Sequence, residues 1–420
     1  MTSMGAGSAA GAVTLAWRGG FGRLWTAAAV SRFGDALRGT ALPLLAFSLT
    51  DSPMLISLVT ACGLLPWLFF GLLGGAVADR VDRRRAMWVV DVLRGLLMAG
   101  FALAVALGAA GIGLLLALAF ALTTFQTLFD NAATALLPAV VPREALSVAN
   151  ARLLTGQEVL GRFVGGPVAP PLIALGAAVP FAADAVTYLV AAALVASLRG
   201  TTPARPAAAP AASTLRREIA EGARVLWRDR VLRSFCVSVA LGNVGIGALI
   251  ATLVVMVKGW LGAGDFGYAA VTTGYGIGMV AGGLLAGRVT AAAGGPARTL
   301  LPAGLLQTAV LVAFGTLRSL WVAAALLGLF GFASMVWNVL ETTLLQQRSP
   351  AAMLGRISAA FRTVSLAGTP LGALLGGAAA AAWGANVPAL LAAALLGLGV
   401  VTLIPVLQSA DSGQTPHTVP

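Results

Sequence analysis

Three ionisable residues lie at helical spacing inside the first apolar run of the sequence. Arg32, Asp35 and Arg38 are spaced so that one face of a helix carries all three side chains. A charge within a membrane is costly unless it faces a cavity or a partner. At a rise of about 1.5 Å per residue from Leu24, Asp35 lies roughly 16 Å deep, near mid-membrane. This pattern predicts a proton-coupling carboxylate; the alternative is an internal ion pair that only fixes helix packing.

Further polar residues recur in later apolar runs. We predict that six of them line an inner cavity for protons or substrate, namely Gln126, Asp130, Asn131, Asn243, Asn338 and Glu341. For Asp130 and Glu341 the alternative is a helix-end residue hydrated by water. Asp91 and Arg94 are one turn apart and are expected to form a scaffold contact, whereas Asp184 is expected to be hydrated near a helix end. Aromatic side chains should complete the cavity wall, and the candidates are Phe33, Tyr275 and Trp337.

The composition indicates that lipid surrounds most of this chain. Of its 420 residues, 59% are hydrophobic and only 10% are charged. A soluble domain carries about 25% charged residues, so this chain lacks the charges to cover a water-facing surface. Its net charge of +12 does not indicate nucleic-acid binding, because the arginines cluster in short segments between long apolar runs. We therefore expect a polytopic membrane protein and neither a soluble enzyme nor a nucleic-acid binder.

Apolar runs of about 20 residues each predict transmembrane helices. Twelve are expected, at 24–49, 55–78, 86–107, 112–138, 156–177, 180–198, 233–257, 266–288, 299–317, 321–346, 356–382 and 386–407. The chain thus divides into four parts: an N-terminal six-helix half (1–198), a cytoplasmic linker with an amphipathic segment (199–232), a C-terminal six-helix half (233–407) and a disordered tail (408–420).

The arginine distribution predicts the orientation of the chain. Twelve spans place both termini on one side, and the loops of that side hold most loop arginines, including those at 80–85. The opposite loops hold only Lys258 and Arg318. Because positive loops stay in the cytoplasm, both termini are expected there.

The two halves of the sequence superpose on a single offset without a gap. Asp35 pairs with Asn243, which gives 243 − 35 = 208. The same offset pairs Asp130 with Asn338, and the glycine-rich segment 74–80 with 282–288. Two parallel six-helix repeats around a substrate cavity are the layout expected of a secondary transporter.

Short motifs in the chain resemble those of the major facilitator superfamily. The segment after the second helix looks like motif A of that family, with Gly75, Asp79, Arg80, Arg83 and Arg84. A segment in the fifth helix resembles motif C, the antiporter motif, with Gly161, Gly165, Gly166 and Pro167. It departs from the fullest form, because Ala169-Pro170-Pro171 stands where further glycines are usual. The segment Ser31–Asp35 is similar to the enterobactin-exporter and macrolide-efflux-like branch.

The resemblance implies an all-α membrane protein with the major facilitator fold, and a transporter that is not an enzyme and needs no cofactor. In motif A, Asp79 would make a charge contact between the halves that breaks when the inner cavity opens; the alternative is a topology signal. In motif C, the glycines and Pro167 would bend the fifth helix and seal it against leak; the alternative is small-residue packing.

Residues and resemblance together predict a proton-coupled antiporter that exports an amphipathic drug-like molecule or secondary metabolite by alternating access. We expect a monomer in a bacterial inner membrane whose partners are its substrate, protons and lipids, with no nucleic acid. One alternative is a siderophore exporter, which Arg32, Arg38 and Arg162 favour as anion-binding groups; another is a non-transporting sensor or scaffold. The chain has no phosphate-binding loop and one histidine, His417, so we expect neither ATP hydrolysis nor a metal site.

Overall fold

The computed structural model describes residues 19–78, 82–142, 145–198, 212–349 and 353–411. Within these ranges the chain is helical and contains no strand. The α-helices are α1 (Gly20–Leu49), α2 (Pro53–Ala78), α3 (Arg83–Ala106), α4 (Ile112–Val140), α5 (Leu146–Glu158), α6 (Gly166–Leu175), α7 (Val179–Ala196), α8 (Ala212–Arg228), α9 (Arg230–Val255), α10 (Asp265–Ala292), α11 (Pro296–Thr316), α12 (Leu320–Arg348), α13 (Leu354–Trp383) and α14 (Val387–Asp411).

Most of these helices are long and apolar enough to cross a membrane. Eight described helices meet that test, and two shorter apolar stretches, Pro53–Phe69 and Val387–Leu403, belong to α2 and α14. Helix α1 carries too many charges to meet it, and the fifth span is divided into α5, a π-helical segment (Val159–Gly165) and α6. With α5, the π-helical segment and α6 counted as one span, α1–α7 form the six transmembrane helices of the first half and α9–α14 the six of the second. These are the predicted twelve transmembrane helices.

The helix boundaries repeat with the offset found in the sequence. Helices α4 and α12 differ by 320 − 112 = 208 at the first residue and by 348 − 140 = 208 at the last. The fifth span, from Leu146 to Leu175, and α13 differ by the same 208 at both ends. The two halves are therefore structural repeats of one another.

Most helix ends lie within four residues of their expected positions, and only the start of α5 differs by more, since 156 − 146 = 10. Helix α5 begins at Leu146, well before residue 156, because the polar residues Asn150 and Arg152 made its first turns too hydrophilic to be counted as a span. Helix α14 runs to Asp411, past the expected boundary at 407. Residues 412–420 and 199–211 lie outside the described residues.

The two halves pack together at one face of the bundle. We call the end where α1 begins and α14 ends the termini face, and the opposite end the far face. At the far face one hydrophobic cluster contains residues of both halves, including Leu44, Val59, Leu253 and Val271. A Cβ built on Gly377 of α13 would lie 2.6 Å from the Cβ of Ser57 on α2, so these helices touch across the halves there.

Toward the termini face the hydrophobic core divides. One cluster, which includes Met87 and Phe129, contains N-terminal residues alone, and another, which includes Phe235 and Leu340, contains C-terminal residues alone. The structure therefore holds the halves together at the far face and separates their cores toward the termini face.

Helix α8 is the amphipathic segment expected between the halves. Leu226 on one side is fully buried, whereas Arg224 and Arg228 are exposed. Its Glu221 accepts a hydrogen bond of 2.9 Å from Arg356 of α13. Helix α8 is thereby fixed to the C-terminal half.

Candidate functional site

The centre of the candidate site is the carboxylate of Asp35, in the middle of α1. Its Oδ1 lies 2.9 Å from Nη2 of Arg38, one turn further along the same helix. The same oxygen lies 3.1 Å from Nη2 of Arg94 on α3 and 2.5 Å from the hydroxyl of Tyr188 on α7. Only 13% of the Asp35 side chain is exposed. Donors from three helices thus replace most of the water around this carboxylate.

Arg94 connects Asp35 to further polar side chains and is itself fully buried. We call the connected charged residues Asp35, Arg38, Asp91, Arg94 and Asp184 the charge network. Nη1 of Arg94 donates to Asp91 at 3.2 Å, which is the expected scaffold contact. Its Nη2 also donates to Gln126 of α4 and, at 2.7 Å, to Tyr188. The guanidinium lies 4.0 Å from the centre of the Tyr188 ring, a favourable cation–π distance. One arginine therefore joins α1, α3, α4 and α7.

Asp184 of α7 is the third carboxylate of the network. The prediction that water hydrates this residue near a helix end is wrong. The residue is fully buried, and its Oδ2 lies 3.5 Å from Nε of Arg38. The reason is the tight packing of α1 against α7. A Cβ built on Gly34 would lie 2.3 Å from Oδ1 of Asp184 and 2.0 Å from Oγ1 of Thr187, so glycine makes room for the carboxylate.

The network contains more negative than positive side chains. Asp35, Asp91 and Asp184 face Arg38 and Arg94 at ion-pair distance. Arg32 and Asp130 also interact electrostatically with Asp35 and add one charge of each sign, so one carboxylate remains in excess. A single bound proton would make this buried group electrically neutral. A net charge held away from water is costly, so the composition of the network favours proton binding.

A cavity of about 390 Å³ lies beside the network in the N-terminal half. Its wall includes Arg32, Asp130, Asn150 and Gln157. Oδ1 of Asp130 accepts a hydrogen bond of 2.7 Å from Gln126, which is also a partner of Arg94. A continuous chain of polar side chains thus runs from the cavity wall to Asp35.

The C-terminal half has an equivalent cavity of about 480 Å³. The 208-residue offset relates many of the lining residues of the two cavities, such as Asp130 to Asn338 and Asn150 to Ser358. Asn243, Asn338 and Glu341 lie together on this wall. The three residues predicted in the C-terminal half are therefore brought to one cavity.

The C-terminal half has no copy of the charge network. The positions equivalent to its five charged residues, Asp35, Arg38, Asp91, Arg94 and Asp184, are Asn243, Ile246, Thr299, Pro302 and Ala392. Tyr188 corresponds to Leu396. The two halves share a fold but differ in the chemistry of their interiors.

Motif A lies largely beyond the described part of the structure. Asp79 and Arg80 lie outside the described residues, as does the side chain of Arg83, whereas Gly75 lies in α2. Arg84 is described, and it donates to the main-chain oxygens of Val195, at 3.3 Å, and Ala196. It thereby caps the C-terminus of α7 within its own half, a favourable place for a cation.

Motif C extends from the π-helical segment of the fifth span into the start of α6. A Cβ on Gly165 would lie 2.6 Å from the Cβ of Ala36, so this glycine permits close approach to α1. A Cβ on Gly166 would lie 3.9 Å from Oγ1 of Thr273 on α10, across the halves. Gly161 faces α1 more loosely, and Pro167 opens α6. The segment therefore lies between the residue next to Asp35 and the opposite half.

Three predicted aromatic side chains take different positions. Trp337 stacks on Phe235 with ring centres 6.2 Å apart, and Tyr275 stacks on Phe330 at the same separation. Both rings pack in hydrophobic clusters and do not line either described cavity, because such large apolar surfaces are stabilised by burial. Phe33 is half-buried on α1. The side chain of Asn131 lies outside the described residues.

Comparisons with known proteins agree with this architecture. Residues 15–417 match the profile of the family described as transmembrane secretion effector. The enterobactin exporter EntS of Shigella boydii is 28% identical over 410 residues, which cover 95% of this chain and 94% of the relative. An uncharacterized MFS-type transporter, y4rN of Sinorhizobium fredii, is 29% identical over 84% of this chain and 87% of its own.

Solved structures share the fold at low sequence identity. The nucleoside transporter NupG matches with a TM-score of 0.74 at 11% identity, over 91% of this chain and 99% of its own. A bacterial homologue of the iron transporter ferroportin, in an inward-facing state, gives a TM-score of 0.74 at 13% identity, over 92% of this chain and 98% of its own.

Proposed function

The chain belongs to the transmembrane secretion effector family, whose members here are major facilitator transporters and not enzymes, and on that premise we propose that it is a proton-coupled exporter. The charge network around Asp35 is the observation that carries this proposal. It is buried, it has one carboxylate in excess, and it is linked by side chains to a cavity. Such a group can exchange a proton with the cavity.

Coupling requires that the proton change the packing of helices. With Asp35 ionised, its attraction for Arg38 and Arg94 holds α1 against α3 and α7. A proton on Asp35 removes that attraction and lets α1 shift. The neighbouring Ala36 packs on Gly165, and Gly166 faces the opposite half, so a shift of α1 is passed directly to the contact between the halves.

The proposed direction is export across a bacterial inner membrane. The arginine-rich loops support an orientation with the termini face in the cytoplasm. In that orientation, the separation of the two cores at this face would admit substrate from inside the cell. Asp79 would close the same face in the alternate state, as its motif implies. We propose a monomer, since one chain contains both halves of the fold.

The substrate is proposed to be an amphipathic drug-like molecule or secondary metabolite. The similarity to an enterobactin exporter favours a second candidate, a siderophore. Arg38 is a poor binding group for an anionic siderophore, because this arginine pairs with Asp35 and Asp184.

Everted membrane vesicles provide the test of proton antiport. Respiration acidifies their interior, and a transported compound added outside should dissipate the pH gradient reported by a quenched acridine dye. Hoechst 33342, erythromycin and enterobactin are the compounds to compare, with vesicles lacking the protein as the control. Accumulation of a compound without any change in the gradient would exclude proton antiport. Failure of all three compounds to accumulate would contradict export of the basic drug-like molecules and of the siderophore that they represent.

A further inference from the structure

The cavity of the C-terminal half contains two opposite charges on adjacent helices. Glu341 of α12 is half-buried, Arg362 of α13 is exposed, and both line the cavity. Among the described residues, no basic nitrogen lies within 4.0 Å of the Glu341 carboxylate and no acidic oxygen within 4.0 Å of the Arg362 guanidinium. Each charge therefore lacks an ion-pair partner in the described protein.

Neither of these two charges has an equivalent in the N-terminal repeat. The 208-residue offset places Ala133 at the position of Glu341 and Leu154 at the position of Arg362. The N-terminal half concentrates its charges around Asp35 instead. An ionised glutamate that is half-buried without a basic partner is costly inside a membrane protein, and Arg362 lines the same cavity. The two charges therefore indicate a function of the C-terminal cavity itself.

The rest of the wall suits a polar ligand with an apolar body. Nδ2 of Asn243 donates to the main-chain oxygen of Ser365 at 2.9 Å, which fixes the amide and leaves its oxygen as an acceptor. Asn338 adds a second amide, and Phe361 contributes apolar surface. The volume of about 480 Å³ falls within the range of small-molecule sites.

We propose that this cavity binds the exported molecule as a zwitterion, with a protonated amine beside Glu341 and a carboxylate beside Arg362. This inference rests on the proposed function, because it names the class of molecule that the exporter carries. A ligand with one charge leaves the other protein charge unpaired, so both side chains contribute to selectivity.

Three matched fluorescent probes test this proposal by equilibrium binding to purified protein in detergent. Nε-dansyl-lysine carries an amine and a carboxylate, dansylcadaverine carries the amine alone, and N-dansyl-6-aminohexanoate carries the carboxylate alone. We expect the zwitterion to bind at least tenfold more tightly than either singly charged probe.

Charge-removing variants assign each selectivity to one side chain. Glu341→Gln should weaken the zwitterion and the cation about tenfold and leave the anion unchanged, whereas Arg362→Gln should weaken the zwitterion and the anion. Glu341→Asp keeps the charge and should keep the preference for the cation over the anion. Asp51→Asn and Arg224→Gln remove charge at exposed positions elsewhere and serve as matched controls.

The result that overturns the proposal is equal binding of the three probes, absence of binding by all of them, or an equal effect of Glu341→Gln on each. Binding at equilibrium needs no proton gradient, so the outcome is independent of antiport. Charge selectivity without proton exchange would refute the proposed function alone, and proton exchange without charge selectivity would refute this inference alone.

Discussion

The hydroxyl oxygen of Tyr188 lies 2.5 Å from Oδ1 of Asp35, although 153 residues separate them in the chain. The same hydroxyl accepts a hydrogen bond from Arg94 at 2.7 Å. Tyr188 therefore orders the acid and one of its arginines together. Through these contacts, the charges on α1, α3 and α7 of the N-terminal half interact with one another.

Tyr188→Phe removes the hydroxyl but keeps the ring beneath Arg94. Two hydrogen bonds are lost, so we expect a free energy of unfolding lower by about 1–3 kcal/mol and reduced transport. Thermal unfolding in detergent and vesicle transport measure the two effects. Tyr268→Phe is the matched control, because the Tyr268 hydroxyl makes no hydrogen bond to a described residue. Equal behaviour of the two variants would show that Tyr188 acts only through its ring.

Gly34→Ala places a methyl group against Asp184 and Thr187, at distances of 2.3 and 2.0 Å from their side-chain oxygens. We expect α1 and α7 to separate, which should lower the free energy of unfolding by about 1–3 kcal/mol and strongly reduce transport. Gly39→Ala on the same helix meets nothing within 4 Å and should be tolerated. Wild-type stability and transport in Gly34→Ala would mean that the packing of α1 on α7 does not hold the network.

The contact between Ser57 and Gly377 should open during transport. In a chain lacking Cys62 and Cys236, the double variant Ser57→Cys and Gly377→Cys should form a disulfide under mild oxidation. Transport should stop when the bond forms and return after reduction, because the far face can no longer open. Each single variant is the control. Full transport with the disulfide formed would contradict alternating access through this face.

The proposed orientation predicts which added cysteines react from outside the cell. In the same cysteine-free background, Ala208→Cys should be protected from an impermeant maleimide in intact cells and should react after permeabilisation. Arg318→Cys, in a loop of the opposite side, should react in intact cells. Labelling of position 208 from outside would reverse the proposed orientation.

The sequence predicted the fold well because hydropathy is a local property and because internal repetition can be found by comparing one half of the sequence with the other. The offset that pairs Asp35 with Asn243 also relates α4 to α12 from end to end. The start of α5 was missed, since Asn150 and Arg152 lie in turns too polar to resemble a span.

The candidate site was only partly predictable, because its contacts join helices that are distant in sequence. Spacing correctly paired Asp35 with Arg38 on α1. Arg32 lines the cavity of the N-terminal half and also interacts electrostatically with Asp35. Nothing in the local sequence showed that Arg94 reaches Asp35. Asp184 was misjudged because its distance from a helix end does not report how closely α1 packs there. Its pairing with a glycine on α1 is visible only in three dimensions.

The most direct test of the account is substrate-linked proton movement in proteoliposomes containing Asp35→Asn, compared with wild type and the exposed-site control Asp51→Asn. A transported compound identified in vesicles serves as the substrate, and a pH-sensitive dye inside the liposomes reports protons. We expect Asp35→Asn to bind the compound but neither move protons nor accumulate it against a gradient, and Asp35→Glu to retain part of both activities. Pumping by Asp35→Asn with wild-type pH dependence would contradict the account and move the coupling site to Asp130 or Glu341.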